Sequence, residues 1–101
     1  MNEAEYLVTL NVPLSLEDAV VDCLLLLEAE RGFSSFAVNA HHHEAKGLSL
    51  VEQVAGRQKA LRFQIYVSEA GLQDLLAQLR EEFTGGNIQY WVLPIVEQGV
   101  I

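Results

Sequence analysis

The stretch 60-ALRFQIYVSEAGLQDLLAQLREEF-83 joins a strand pattern directly to a helix pattern. Apolar and polar residues alternate through residues 60–67, as in a strand with one buried face. Ser68 then offers the side-chain oxygen that commonly caps a helix N-terminus. The inward residues of the strand are Leu61, Phe63, Ile65 and Val67, and those of the helix are Leu72, Leu75, Leu76, Leu79 and Phe83. We therefore predict a strand–helix unit whose two apolar faces pack together.

A similar strand–helix unit precedes it. Residues 5–12, EYLVTLNV, alternate, with Tyr6, Val8, Leu10 and Val12 on one face. Pro13 is predicted to end this strand, Ser15 to begin a helix with Asp18 as its capping-box acid, and Gly32 to end that helix. The apolar positions of the helix are Leu16, Ala19, Val20, Cys23, Leu24 and Leu27.

Two further strands complete the pattern, at residues 33–43, FSSFAVNAHHH, and 88–96, IQYWVLPIV. Pro94 favours an edge position or a bulge for the last strand. The order β-α-β-β-α-β predicts an α+β, ferredoxin-like domain over residues 1–101, with an antiparallel sheet and both helices on one face. The second and fourth strands should lie at the sheet edges.

The sheet face without helices is predicted to carry exposed apolar residues. They are Leu7, Ala37, Tyr66, Trp91 and Leu93. Because a monomer would leave Trp91 and Leu93 in water, we expect this face to be buried against other subunits. The alternative is a half-polar, solvated face.

Composition excludes several classes of protein. The single cysteine, Cys23, rules out an intramolecular disulfide and a four-cysteine zinc site, and its place among the helix's apolar positions favours a buried filler role. The net charge of −8 argues against nucleic-acid binding. No apolar run is long enough to span a bilayer, and the acidic N-terminus lacks signal-peptide features. We expect a cytoplasmic protein that is not inserted in a membrane.

All three histidines are consecutive, at residues 41–43, followed by Glu44. On a strand, His41 and His43 would point the same way, about 6.5–7 Å apart. With Glu44 they form a candidate site for a divalent transition metal such as Cu²⁺, Zn²⁺ or Ni²⁺. The alternative is a polar strand end, and no cofactor is certain.

Basic residues follow in an otherwise acidic chain. Residues 46–62 contain four basic residues and one acidic residue, a net charge of +3. Arg57, Lys59 and Arg62 are therefore candidate ligands for an anion, although a solvated loop would also be charged. The connection over about residues 44–59 is long and partly apolar. We expect it either to dock on a partner or to pack on its own oligomer.

With the strand order, this long connection and the segment TGGNIQYWVLPIVE (residues 84–97), the chain resembles the PII signal-transduction superfamily. It is most similar to the small PII-like proteins encoded beside heavy-metal efflux pumps. The resemblance implies a homotrimer and a partner-docking loop at residues 44–59. It also implies a ligand cleft between subunits that includes Gly85, Gly86 and Asn87. Asn87 stands where many PII proteins have a phosphate-binding lysine, and residues 44–59 contain no tyrosine for uridylylation.

The leading hypothesis is a non-enzymatic regulatory or accessory protein, because no pairing of nucleophile and base is apparent in the sequence. It would modulate a membrane transporter, with heavy-metal efflux as the resemblance implies, through residues 44–59, and His41 and His43 would sense the metal. The alternative is a sensor of a small anion or nucleotide that binds between subunits.

Overall fold

A computed structural model describes residues 4–27, 32–41 and 57–101 of the chain. Strand β1 spans Glu5–Pro13 and leads through a 3-10 turn at Leu14–Leu16 into helix α1, Glu17–Leu26. Strand β2 spans Phe33–His41 and strand β3 spans Arg57–Ser68. Helix α2 covers Glu69–Phe83 and strand β4 covers Gln89–Pro94. Within the described ranges, the order is the predicted βαββαβ.

The four strands form one antiparallel sheet in the order β2-β3-β1-β4. Strands β2 and β4 are its edges, which confirms the prediction from the sequence. Pro94 is the last residue of edge strand β4, a position at which its missing N–H does not interrupt a central ladder.

The core lies between the sheet and the two helices. Its sheet side is formed by β1 and β3 and its helix side by both helices; the fully buried members are Val8, Leu10, Val12, Val20, Leu24, Phe63 and Ile65. Leu75 and Leu79 of α2 complete the helix side. These are residues that alternation and helical spacing predict to face inward, because a strand buries every second side chain and a helix buries one stripe.

The two helices begin differently. Ser68 caps α2 as predicted, because its Oγ accepts a hydrogen bond of 3.1 Å from the backbone N–H of Gly71. The prediction that Ser15 begins α1 is wrong. The chain forms the 3-10 turn first, and α1 starts at Glu17 without a side-chain cap. Glu17 and Asp18 occupy its first turn, where carboxylates favour the positive end of the helix dipole.

Gly32 was predicted to end α1, but the described helix ends earlier, at Leu26. Gly32 instead lies directly before β2 with a φ of +74°, a left-handed conformation that favours glycine. The glycine is thus required for the entry of the chain into β2.

Cys23 packs in the core on α1, as its position in the sequence predicts. Burial raises the pKa of its thiol from 9.0 to about 11, and the nearby Glu82 carboxylate adds to the shift by repelling a thiolate and accepting the thiol proton. The thiol is therefore protonated at neutral pH and is a poor nucleophile.

We expect Cys23 to react with Ellman's reagent at pH 8 about 100-fold more slowly in the native protein than in urea, from its lower thiolate fraction alone. The unfolded thiol ionises near pH 9 and the folded one near 11. The corresponding stability is therefore present below pH 9 and is lost as the pH rises towards 11. Equal reaction rates in the two states would contradict the buried placement.

Candidate functional site at one end of the sheet

The predicted binding residues on the strands lie towards one end of the sheet. There β1 and β2 end and β3 begins: Pro13 pairs with Ala60, and His41 pairs with Arg57. Among the described strands, only β2 and β3 continue beyond Pro13, through three further residue pairs. We call this projection, residues 39–41 paired with 57–59, the β2–β3 ribbon. The ribbon extends past the end of β1, and residues 42–56 connect its two strands in the sequence.

His41 is the last residue of β2 and its side chain is exposed. The other two candidate metal ligands, His43 and Glu44, lie outside the described residues. Within the described ranges, no three His, Cys, Asp or Glu residues are grouped closely enough to hold a metal ion. Of the predicted metal ligands, the structure therefore describes His41 alone, at the tip of the ribbon.

Two of the three candidate cations, Lys59 and Arg62, do not converge within one chain. Lys59 lies on the same face of the sheet as Phe63, the face that the helices cover. Arg62 lies on the opposite face, because successive residues of a strand alternate between faces. Arg57 is placed by its backbone only, at the start of β3. The loop predicted at residues 44–59 ends earlier than expected, because residues 57–59 belong to strand β3.

Arg62 lies across the middle of the sheet face that has no helices, which we call the open face. Its Nε donates a 2.8 Å hydrogen bond to Oδ1 of Asn11 on β1. Its guanidinium carbon is 5.2 Å from the ring centroid of Trp91 on β4, within cation–π range. The side chain thus crosses β1 near Thr9, whose burial on this otherwise open face is consistent with that path.

Several large apolar side chains of the open face are exposed. Trp91 is 39% exposed and Leu93 is 52% exposed, while Phe36 and Tyr66 are exposed to a similar extent. The prediction of Ala37 for this face is wrong. Ala37 pairs with Leu61, whose side faces the helices, and Phe36 pairs with Arg62. Phe36 therefore takes the place predicted for Ala37.

The turn between α2 and β4 contains the predicted Gly85, Gly86 and Asn87. Gly85 and Asn87 have positive φ values of 88° and 60°. Gly86 donates a 2.8 Å backbone hydrogen bond to Phe83. A Cβ on Gly86 would lie 3.0 Å from the backbone oxygen of Phe83 and 2.9 Å from Cδ1 of Leu16, so glycine lets the turn close tightly after α2.

Arg80 lies beside this turn and was not among the residues predicted from the sequence. Its Nη2 donates a 3.1 Å hydrogen bond to the Tyr90 hydroxyl group. A shallow concavity joins it to the turn; its lining includes Arg80, Phe83, Thr84, Gly85 and Asn87. Arg80 is thus a cation near the position where the resembled turn has a lysine. The sequence feature that could have identified Arg80 is its location in the last turn of an amphipathic helix, just before the Gly85-Gly86 break.

The described helices are all too short or too polar to cross a bilayer. The fold is that of the PII-like proteins. A PII-like signalling protein of Thermus thermophilus is 22% identical, with a TM-score of 0.65, covering 92% of this chain and 88% of that one. CPII, a nitrogen regulatory PII-like protein of Thiomonas intermedia, is 13% identical, with a TM-score of 0.69, covering 98% of each chain.

Within this fold, the chain belongs to the DUF3240 family, a family of proteins of unknown function, whose model matches residues 3–101. A DUF3240 family protein of Shewanella baltica is 26% identical. The similarity covers 100% of this chain and 99% of that one, with a TM-score of 0.79. No curated protein matches the chain.

Proposed function

We propose that this protein is a non-enzymatic, PII-like regulatory protein of the cytoplasm that senses a small ligand. The observation that carries the proposal is the β2–β3 ribbon, which extends past β1 and holds His41 and Arg57 opposite each other at its tip. A ligand bound there would directly affect the adjoining residues 42–56. The protonated Cys23 thiol supports a non-enzymatic role for that side chain.

The more specific proposal is that the ligand is Cu²⁺, Zn²⁺ or Ni²⁺, and that the segment at residues 44–59 acts on a membrane transporter. An exposed imidazole at a strand end is free of the core and has the nitrogen donor that these metals prefer. The transporter, with heavy-metal efflux as the specific case, follows from the resemblance to PII-like proteins encoded beside such pumps.

Calorimetric titration with each metal at pH 7.5 tests metal sensing. We expect binding to the wild type and at least about tenfold weaker binding to His41→Ala, because losing one ligand of a small site removes a large part of its affinity. His43→Ala should behave similarly, and His41→Gln is the control that keeps a polar side chain. Absent binding, or equal affinity for all variants, would contradict the proposal.

A second candidate function is binding of a small anion or a nucleotide, and the placement of Arg80 beside the Gly85–Asn87 turn favours it. The CPII structure contains ADP, AMP and bicarbonate. In the titration above, an arm with AMP and ADP separates the two functions. Nucleotide binding that is lost in Arg80→Gln and kept in His41→Ala would favour this alternative. Arg57, Lys59 and Arg62 could contribute from a second copy.

We also propose that the protein assembles as a homotrimer through the open face. Trp91, Leu93, Phe36 and Tyr66 place a band of exposed apolar side chains across this face. Such bands commonly mark interfaces, because burying them removes apolar surface from water.

A further inference from the structure

Residues 96–101, which follow β4, expose apolar side chains to an unusual degree. Val96 is 98% exposed and Val100 is 101% exposed, and Ile101 is also fully exposed. Yet the segment is attached at its base. Ile95 donates a 3.0 Å backbone hydrogen bond to Glu5, and the side-chain amide of Gln98 donates to the Glu5 carboxylate.

These two hydrogen bonds fasten the segment to Glu5, which lies on the open-face side of β1. They hold it at the end of the sheet where β1 begins, whereas Arg62 pairs with Asn11, six residues further along β1. Six residues of a strand span roughly 20 Å, so the attachment point of the segment and Arg62 are well separated within one chain. Within the described residues, no surface of this chain covers Val96 and Val100, so a surface of a second copy is available to cover them.

The charges on the open face indicate which surface of a second copy covers Val96 and Val100. Among the strand residues that the register places on this face, Arg62 is the only cation, and the only acid is Glu5, which is already bonded to Gln98. Asn11 accepts a hydrogen bond from Arg62 but is uncharged, so a guanidinium covered by another subunit still lacks a countercharge, and burying it without one costs several kcal/mol. Glu97 lies in the exposed segment between Val96 and Val100 and provides a carboxylate with apolar neighbours.

We propose that residues 96–101 of one copy pack on the β2–β3 half of the open face of a second copy. Glu97 pairs with Arg62, and Val96 and Val100 cover Phe36 and its surroundings. Because Gln98 stays bonded to Glu5 of its own chain, the second copy brings its open face against the anchored segment. The segment leaves from the β4 edge and docks near the β2 edge, so the contact is heterologous and a rotation can close it into a ring. This inference rests on the self-association proposed above.

A charge exchange tests the pairing. Self-association of the full chain is measured by sedimentation velocity and light scattering for wild type, Glu97→Arg, Arg62→Glu and the double variant. Each single variant should raise the dissociation constant at least about tenfold, and the double variant should return it to within about threefold of wild type. Circular dichroism confirms folding, and Val100→Asp weakens the same contact without altering Arg62.

The outcomes are distinguishable. A wild-type monomer would overturn both this inference and the homotrimer. A wild-type trimer that is unaffected by Glu97→Arg and Val100→Asp would overturn the docking of residues 96–101 and leave the trimer in place. Weakening by both single charge variants without recovery in the double variant would overturn the Glu97–Arg62 pairing.

Discussion

Replacing Phe63 by alanine is expected to lower the free energy of unfolding by about 3–5 kcal/mol. Phe63 lies on central strand β3 and is fully buried. Its ring centroid is 6.2 Å from that of Phe33, and its neighbours in the core come from both helices and from β1. Removing the ring leaves a cavity that the surrounding β-sheet cannot collapse to fill. Urea denaturation followed by circular dichroism, at several protein concentrations, measures the change.

Leu26→Ala is the control for this prediction. Leu26 is a large apolar residue on α1, but it is exposed, so its truncation should change the free energy of unfolding by less than about 0.5 kcal/mol. If Phe63→Ala and Leu26→Ala had similar effects, the assignment of the core to the space between sheet and helices would be wrong.

Alternation predicted the faces of β1 and β3 because their two sides differ strongly in polarity. On β3, Phe63 and Ile65 alternate with Arg62 and Gln64, so only one side can enter the core. On β2 both sides contain apolar and small polar residues, with Phe36 on one and Phe33 on the other. The sequence of an edge strand with such balanced faces does not determine its orientation. The pairing with β3 determines it, through contacts that are distant in sequence.

The start of α1 was mispredicted for a related reason. Ser15 and Asp18 have the spacing of a capping box, but Pro13 ends β1 only two residues earlier. The chain must turn from the sheet onto its helix-covered face within those residues, and the 3-10 turn makes this reversal while Leu16 packs against the core. Tertiary packing therefore displaced the helix start to Glu17.

The candidate site was predictable in part. The separation of Lys59 and Arg62 onto opposite faces follows from their spacing of three along a strand. The contact of Arg62 with Trp91 does not, because these residues lie on strands separated by β1. Only the strand order and the register bring them together. The position of Arg80 beside the Gly85–Asn87 turn likewise depends on how α2 ends.

Replacing Leu93 by aspartate is expected to convert the proposed trimer into a monomer at micromolar concentrations. Leu93 is half exposed on the open face, on edge strand β4, and pairs with Leu7 across the sheet. Burial of a leucine side chain contributes about 1.5–3 kcal/mol, and each buried carboxylate without a partner costs several kcal/mol more. In a trimer, this penalty occurs in all three copies, whereas in a monomer the aspartate lies in water and costs little. Size-exclusion chromatography with light scattering measures the mass.

Leu25→Asp provides the matched control, because Leu25 is also an exposed leucine but lies on α1, on the other side of the molecule from the open face. It should leave the mass unchanged. Dissociation by both variants would point to a general effect of added negative charge in a chain that already has a net charge of −8. A Leu93→Asp variant that stays trimeric would exclude the open face at β4 as the interface. Dissociation by Leu93→Asp alone would explain why Trp91, Tyr66 and Phe36 are exposed in the single chain: their burial occurs on assembly.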